Sequence, residues 1–188
     1  AFHGRTLLAY DLEKKGKILF SQSWRTSYDV NASNPQYHDG KLFIASGYGM
    51  GYAVVDVSGS KPKMVHKEND TRMIFQNSLL IDGDIVGVFG DKNIDAELIR
   101  MDMDSGDIRW RVELPSTRGS SILIGDTFVT LLENGDLIAG KLGKDKFTET
   151  GRIKGLLNKV CWSSIAYSNG RLFARNNKGQ ALVLDLSK

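Results

Sequence analysis

Residues 101–114, MDMDSGDIRWRVEL, read as two short strands around a tight turn. Asp102 ends the first strand. Asp104-Ser105-Gly106-Asp107 makes the turn, with Gly106 able to adopt φ > 0. Ile108, Trp110 and Val112 alternate on one face of the second strand, with charged residues between them. The spacing is Asp, then Ser three residues on, Gly four on and Trp eight on. It recurs along the chain in weakened form.

Outward from this unit the same grammar repeats. Residues 5–12, RTLLAYDL, form a strand ending on Asp11, and Glu13-Lys14-Lys15-Gly16 turns into a strand over residues 17–24. Asp39-Gly40 is a hairpin turn into KLFIAS, residues 41–46, and YAVVDV, residues 52–57, carries Asp56. Strands are expected at residues 75–81, 85–89, 97–103 and 108–114, then at 120–124, 128–132, 137–142 and 147–153. A last set falls at 160–167, 171–175 and 180–186. The hairpin glycines Gly40, Gly83, Gly125 and Gly170 are spaced by 43, 42 and 45 residues. The turn-leading positions Asp11, Asp56, Asp102, Lys141 and Asp185 are spaced by 45, 46, 39 and 44.

Two independent markers therefore keep one period, and each unit holds four short strands. That is the signature of a β-propeller blade. One blade cannot cover both of its faces alone, so blades stack around an axis. The expected fold is all-β, a partial ring with about four blades' worth of strands. The whole of residues 1–188 is one propeller region, divided into a partial blade 1–30, blades 31–69, 70–115 and 116–157, and a partial blade 158–188. The first unit is expected to supply only its third and fourth strands, and the last only its first three. Open edges at both ends invite pairing with a protein partner or a second copy of the chain.

Composition bounds the function. Hydrophobic residues make up 41% and charged residues 25%, as in ordinary globular proteins. The net charge of +3 is spread along the chain, which argues against a nucleic-acid footprint. No apolar run approaches transmembrane length, and no leader peptide is read. The chain begins Ala1-Phe2-His3, without Met, and reads as a processed or excised piece. A single cysteine, Cys161, excludes an internal disulfide and any Cys-rich metal site.

The repeat resembles the pyrroloquinoline-quinone-like (PQQ-like, quinoprotein) propeller repeats, which are related in form to WD40 repeats. Their docking motif is Ala-x-Asp-x-x-Thr-Gly-x-x-x-Trp. Asp102, Ser105, Gly106 and Trp110 match it with Ser for Thr. Ala9, Asp11, Gly16 and Phe20 match with one inserted residue and Phe for Trp. The unit at Asp56 keeps Gly59 but lacks the aromatic residue, and the unit at Lys141 has lost the Asp. The stretches NPQYHDGKLFIASGYGMG, LLIDGDIVGVFG and CWSSIAYSNGRLFARNNKGQALVLDL resemble the C-terminal half of a bacterial subgroup of such proteins.

The resemblance implies that Trp110 docks one blade on the next. It also implies a periplasmic or exported setting, because envelope scaffolds of the outer-membrane β-barrel assembly machinery carry such repeats. Two functions follow from it. One is a non-catalytic scaffold or binding module for protein or ligand contact. The other is a fragment of a PQQ-dependent dehydrogenase, using PQQ and calcium. That family sandwiches its quinone between a Trp and a vicinal disulfide, and Cys161 alone cannot make one. The scaffold is favoured, no catalytic residue is assigned and no cofactor is expected.

The remaining candidates have simple readings. Asp91, Asn93 and Asp95 place oxygen ligands at alternate positions, as calcium loops do, but lack the glycine and distal glutamate of an EF-hand. They read first as a solvated loop. His38-Asp39 reads as a blade hairpin before a general base. His3 and His66 have no partner that the sequence identifies. Gly47-Tyr48-Gly49-Met50-Gly51 is a flexible connection that can contact a ligand. Cys161, beside Trp162, reads as a small buried hydrophobe. Arg175-Asn176-Asn177 reads as a turn first and a binding contact second.

Overall fold

The computed structural model describes residues 1–91 and 96–187. Its strands form five antiparallel sheets in chain order. The first sheet is β1 (Phe2–His3), β2 (Thr6–Asp11) and β3 (Lys17–Ser23). The second is β4 (Gln36–His38), β5 (Lys41–Ser46), β6 (Gly51–Asp56) and β7 (Lys63–Glu68). The third is β8 (Leu79–Ile81), β9 (Asp84–Phe89), β10 (Glu97–Asp102) and β11 (Ile108–Glu113). The fourth is β12 (Gly119–Ile124), β13 (Thr127–Leu132), β14 (Leu137–Leu142) and β15 (Phe147–Ile153). The fifth is β16 (Ala166–Ser168), β17 (Arg171–Arg175) and β18 (Ala181–Asp185). Every sheet is a simple meander, and the described residues contain no helix.

Three expectations need correction. The strand expected over residues 75–81 is only Leu79–Ile81, and that over 160–167 is only Ala166–Ser168. In both cases the preceding residues leave the ladder to run between sheets. The first unit also has a third strand, because Phe2 pairs with Leu7 and His3 with Thr6. Among the described residues β18 pairs only with β17, and β3 only with β2.

Each sheet faces the next across an apolar seam. In the seam between the second and third sheets, Phe43, Tyr52 and Val54 meet Ile85, Ile99 and Met101. Between the third and fourth, Val86, Leu98 and Trp110 meet Phe128 and Ile138. Val129 and Leu131 pack with Leu172 and Ala174 between the fourth and fifth. Leu7 packs with Ile44 and Val55 between the first and second. The central sheets are thus apolar on both faces, and burying them on both sides is the main stabilising term.

Polar latches join the first strands of successive sheets. Asn34 N donates to Asn77 Oδ1 at 2.8 Å, and Gln36 Nε2 to Ser78 O at 2.8 Å. Gly119 N donates to Gln76 Oε1 at 2.8 Å, and Ile165 N to Ser120 Oγ at 2.9 Å. These pairs lie 42 to 45 residues apart, one repeat in every case. Such a series of latches places the first strands where the sheets converge on an axis. The architecture is an open β-propeller, and the sheets are its blades.

Trp110 lies in the seam between the third and fourth sheets. It lies on β11 opposite Arg100, where a β-bulge shifts the register. Its ring is 8% exposed and lies 6.3 Å from the Phe147 ring of the following blade. Its Nε1 donates to Gly143 O at 3.1 Å. Beside it, Asp84 is buried and accepts from Arg100 Nε at 2.6 Å and Arg109 Nε at 2.8 Å. Arg100 Nη1 reaches on to Gly143 O at 3.2 Å.

Trp110→Ala is expected to cost about 3–5 kcal/mol, because the seam loses both a large buried ring and its hydrogen bond. Chemical denaturation measures this, and a loss below about 1 kcal/mol would remove Trp110 from that role. Asp84→Ala is expected to cost about 3–5 kcal/mol by stranding the buried Arg100 guanidinium. Adding Arg100→Met should recover much of the loss in the same denaturation assay.

Candidate functional site

The connections between blades and the turns between second and third strands end on the same face of the molecule. Three connections contribute one residue each in strict register. Phe75, Arg118 and Trp162 stand five positions before Leu80, Leu123 and Tyr167. Those three residues pair with Ile85, Phe128 and Leu172 in equivalent ladder positions. The fold therefore brings together side chains 43 and 44 residues apart.

They form a stack. The Arg118 guanidinium lies 5.6 Å from the Phe75 ring centre and 5.3 Å from that of Trp162. The two rings are themselves 5.1 Å apart. Glu133, on the turn after β13, anchors the group. Its Oε2 accepts from Arg118 Nη1 at 2.7 Å and from Trp162 Nε1 at 3.0 Å. Cation–π contact and a charge-assisted bond thus fix the plane of a half-buried arginine.

This stack is one wall of a half-open cavity of about 610 Å³. The other walls are Tyr28, Tyr48, Arg72 and Asp91. Tyr28 and Tyr48 pack ring to ring at 5.0 Å. Asp91 is buried, and its Oδ2 accepts from Tyr48 N at 2.8 Å. Gly47, beside Tyr48, has no room for a Cβ, which would lie 2.8 Å from Ile74 Cδ1 and 3.2 Å from Asp91 Oδ2. The volume is that of an ordinary small-ligand pocket, and Trp, Tyr and Arg together are the composition of binding hot spots.

The structure separates the residues singled out in the sequence. Asp91 lies in the cavity wall, whereas Asn93 and Asp95 fall outside the described residues. Among the described residues no three of His, Cys, Asp and Glu gather as a metal site. The glycine-rich segment places Tyr48 and Gly49 at the cavity. His38 lies against the Gly83 turn of the next blade, and Asp39 occupies the hairpin turn with φ 43°. His3 pairs with Thr6 on β1, and its carbonyl accepts from Asn31 Nδ2 at 2.8 Å. Cys161 is buried, and burial pushes its thiol pKa up, with Glu133 adding to the shift. Asn176 is a turn residue, its Oδ1 accepting from Lys178 N and Gln180 N. Arg118, Arg72, Phe75 and Tyr28 carry no sequence motif. Only counting back from the first strands would have grouped Phe75, Arg118 and Trp162.

The docking motif lies away from the cavity, in the turn between the third and fourth strands. Asp102 Oδ1 accepts from Asp104 N at 2.8 Å and Ser105 N at 2.9 Å. Gly106, at φ 78°, closes the turn. Asp11 Oδ1 likewise accepts from Lys14 N at 3.1 Å, Gly16 has φ 76°, and Phe20 joins the first seam beside Ala9. The second blade, which by spacing lacks the aromatic residue, has His66 at that place. His66 pairs with Val54 as Trp110 pairs with Arg100. It stacks on Tyr52 at 5.4 Å and lies against Gly106 of the following blade. A turn lengthened by two residues hides it from the motif, since His66 follows Asp56 by 10 residues and Trp110 follows Asp102 by 8.

No protein-family model matches the chain. No curated protein matches it either. Solved structures do. A europium-containing methanol dehydrogenase aligns with TM-score 0.70 at 13% identity, over 98% of this chain and 46% of that one. Sqt1 of Saccharomyces cerevisiae aligns with TM-score 0.70 at 13% identity, over 97% and 54%. BamB from Moraxella catarrhalis aligns with TM-score 0.50 at 13% identity, over 89% and 63%. The fold is a β-propeller. At these identities the likeness carries fold alone, and the chain spans about half the length of the first two proteins.

Hydrogen bonds from Ser105 N, then Asp104 N, and the charge of Arg109 hold the Asp102 carboxyl below its ordinary range. A carboxylate with a lowered folded pKa stabilises the protein above the unfolded pKa, and that contribution is lost as pH falls. Stability is therefore expected to fall from about pH 4 downward, and Asp102→Asn should flatten that part of the profile. Urea denaturation across that range checks it, and an unchanged slope would contradict the assignment.

Proposed function

We propose that this chain is a non-catalytic propeller module that binds a protein or ligand through the cavity face. The observation that carries the reading is the stack of Phe75, Arg118 and Trp162, held rigid by Glu133 beside two tyrosines. Rigid aromatic and guanidinium groups around an open pocket lose little side-chain entropy on binding, which favours recognition. The docking residues Trp110, Asp102, Ser105 and Gly106, with Asp11, Gly16 and Phe20 in the first blade, serve the scaffold that holds this face. A bacterial envelope setting is part of the same proposal, supported by the repeat resemblance and by the fold shared with BamB.

A photo-crosslinking residue at Tyr28, in the bacterial envelope, tests the reading. One discrete adduct that disappears in the folded Arg118→Ala variant is expected. An adduct pattern indifferent to Arg118 would overturn the role of the cavity.

The alternative is a quinone-dependent dehydrogenase fragment. Adding PQQ with calcium is expected to leave the melting temperature unchanged, because a ligand bound only by the folded state must raise it. A concentration-dependent rise would favour the dehydrogenase reading instead.

A further inference from the structure

Every described residue of the cavity wall lies between Tyr28 and Trp162, and the contacts that shape the wall are made inside that span. Among the described residues the wall holds two cations, Arg72 and Arg118, and one anion, Asp91. Glu133, which holds Arg118, is not itself in the wall. Asp91 is engaged with its neighbouring loop, its Oδ2 accepting from Tyr48 N at 2.8 Å.

Both guanidiniums are drawn out of water and left short of acceptors. A guanidinium has five N–H donors and no acceptor. The Arg118 side chain is 14% exposed. Among the described residues its one acceptor is Glu133 Oε2, and its Nε is buried without a partner. The Arg72 side chain is 20% exposed, and its Nε donates to Asn69 O at 3.0 Å. Its ion pair with Asp70, at 3.6 Å, joins it to a side chain that is 92% exposed and screened by water. A shielded cation with few acceptors costs free energy, and an anion in the cavity supplies them.

The backbone points the same way. Three wall residues hold the left-handed conformation that side chains disfavour: Tyr48 at φ 57°, Phe75 at φ 59° and Arg118 at φ 50°. Bulky residues keep such a conformation only where their surroundings enforce it, and ligand clamps are where this concentrates.

The balance of charge narrows the ligand. Two cations against one anion leave an excess of one positive charge on a wall that is otherwise mostly aromatic. A single carboxylate on an apolar body answers that excess. A phosphate dianion or a polycarboxylate brings more negative charge than the wall matches, and an ammonium group would meet two guanidiniums.

We infer that the cavity recognises one carboxylate carried on an apolar body, with Arg72 and Arg118 as its cationic contacts and the rings of Tyr28, Tyr48 and Trp162 around the body. The carboxylate belongs either to a small monocarboxylic acid or to an acidic side chain of a docked protein, and the recognition chemistry is the same. The inference rests on the reading of this face as a binding site and names the group bound there.

Titration with phenylpropionate, followed through the NMR signal of the Trp162 indole N–H, tests it. Phenylpropanamide and phenylpropylamine keep the body and change only the charge. The acid is expected to shift the signal saturably and to bind about tenfold or more tighter than the amide, whereas the amine and inorganic phosphate leave the signal in place. Arg72→Gln and Arg118→Lys should each weaken the acid about tenfold or more, the lysine keeping the charge of Arg118 but not its planar fork. End-blocked Phe-Glu and Phe-Gln dipeptides separate the sources. Binding of Phe-Glu tighter than that of phenylpropionate assigns a protein side chain, and the reverse assigns a small acid. Equal binding of acid, amide and amine, no binding of any acid, or an affinity indifferent to both arginines would overturn the inference. A neutral or cationic analogue that binds where the acids do not would remove the carboxylate and keep the binding site, whereas a Tyr28 crosslink indifferent to Arg118 would remove the site itself.

Discussion

Everything in this structure depends on one constraint: an antiparallel sheet that is apolar on both faces must be covered on both. Ile44, Ala53 and Val55 face one neighbour, while Phe43, Ala45 and Val54 of the same two strands face the other. Strict alternation along β5 and β6 therefore produces two seams from one sheet. A lone blade would leave half of these side chains in water, so the blades are stable only as a series.

The seams are apolar in the middle and polar at their inner and outer margins. At the inner margin the latches from Asn34, Gln36, Gly119 and Ile165 fix how far one blade slides along the next. At the outer margin the third blade uses Trp110 and the Asp84–Arg100 pair, both reaching Gly143. The second blade uses His66 against Gly106 instead. Hydrophobic burial supplies most of the free energy in this arrangement, and directional bonds supply the register. A fixed register matters because the cavity is assembled from loops of different blades. A slide of one residue would part Arg118 from the rings of Phe75 and Trp162.

The cavity face shows how a repeat fold makes a site without a motif. The scaffold repeats every 42 to 46 residues over most of its length, and each repeat delivers a loop to the same neighbourhood. The loops themselves need not resemble each other. Phenylalanine, arginine and tryptophan stand at one equivalent position in three blades. Because they differ, they complement one another, a cation against two touching rings, rather than repeat one another. Function in such a fold lies in the departures from the repeat.

The sequence by itself determined the repeat and the hairpin turns. These are local matters: alternation of period two, glycines that accept positive φ, and an aspartate that caps the turn following it. Gly40, Gly83, Gly125 and Gly170 all have positive φ, as turn chemistry requires. What only the tertiary structure decided lies between blades. The strands expected at residues 75–81 and 160–167 shortened because the inter-blade connections leave the ladder to reach the cavity. Phe2–His3 became a strand only because β2 offered it an edge. His66 took a docking place that motif spacing denied it, since a longer turn changes the residue count while the ladder keeps the position. The stack of Phe75, Arg118 and Trp162 had no local signature. Its members are a full repeat apart, and what brings them together is the angle at which one covered sheet must meet the next.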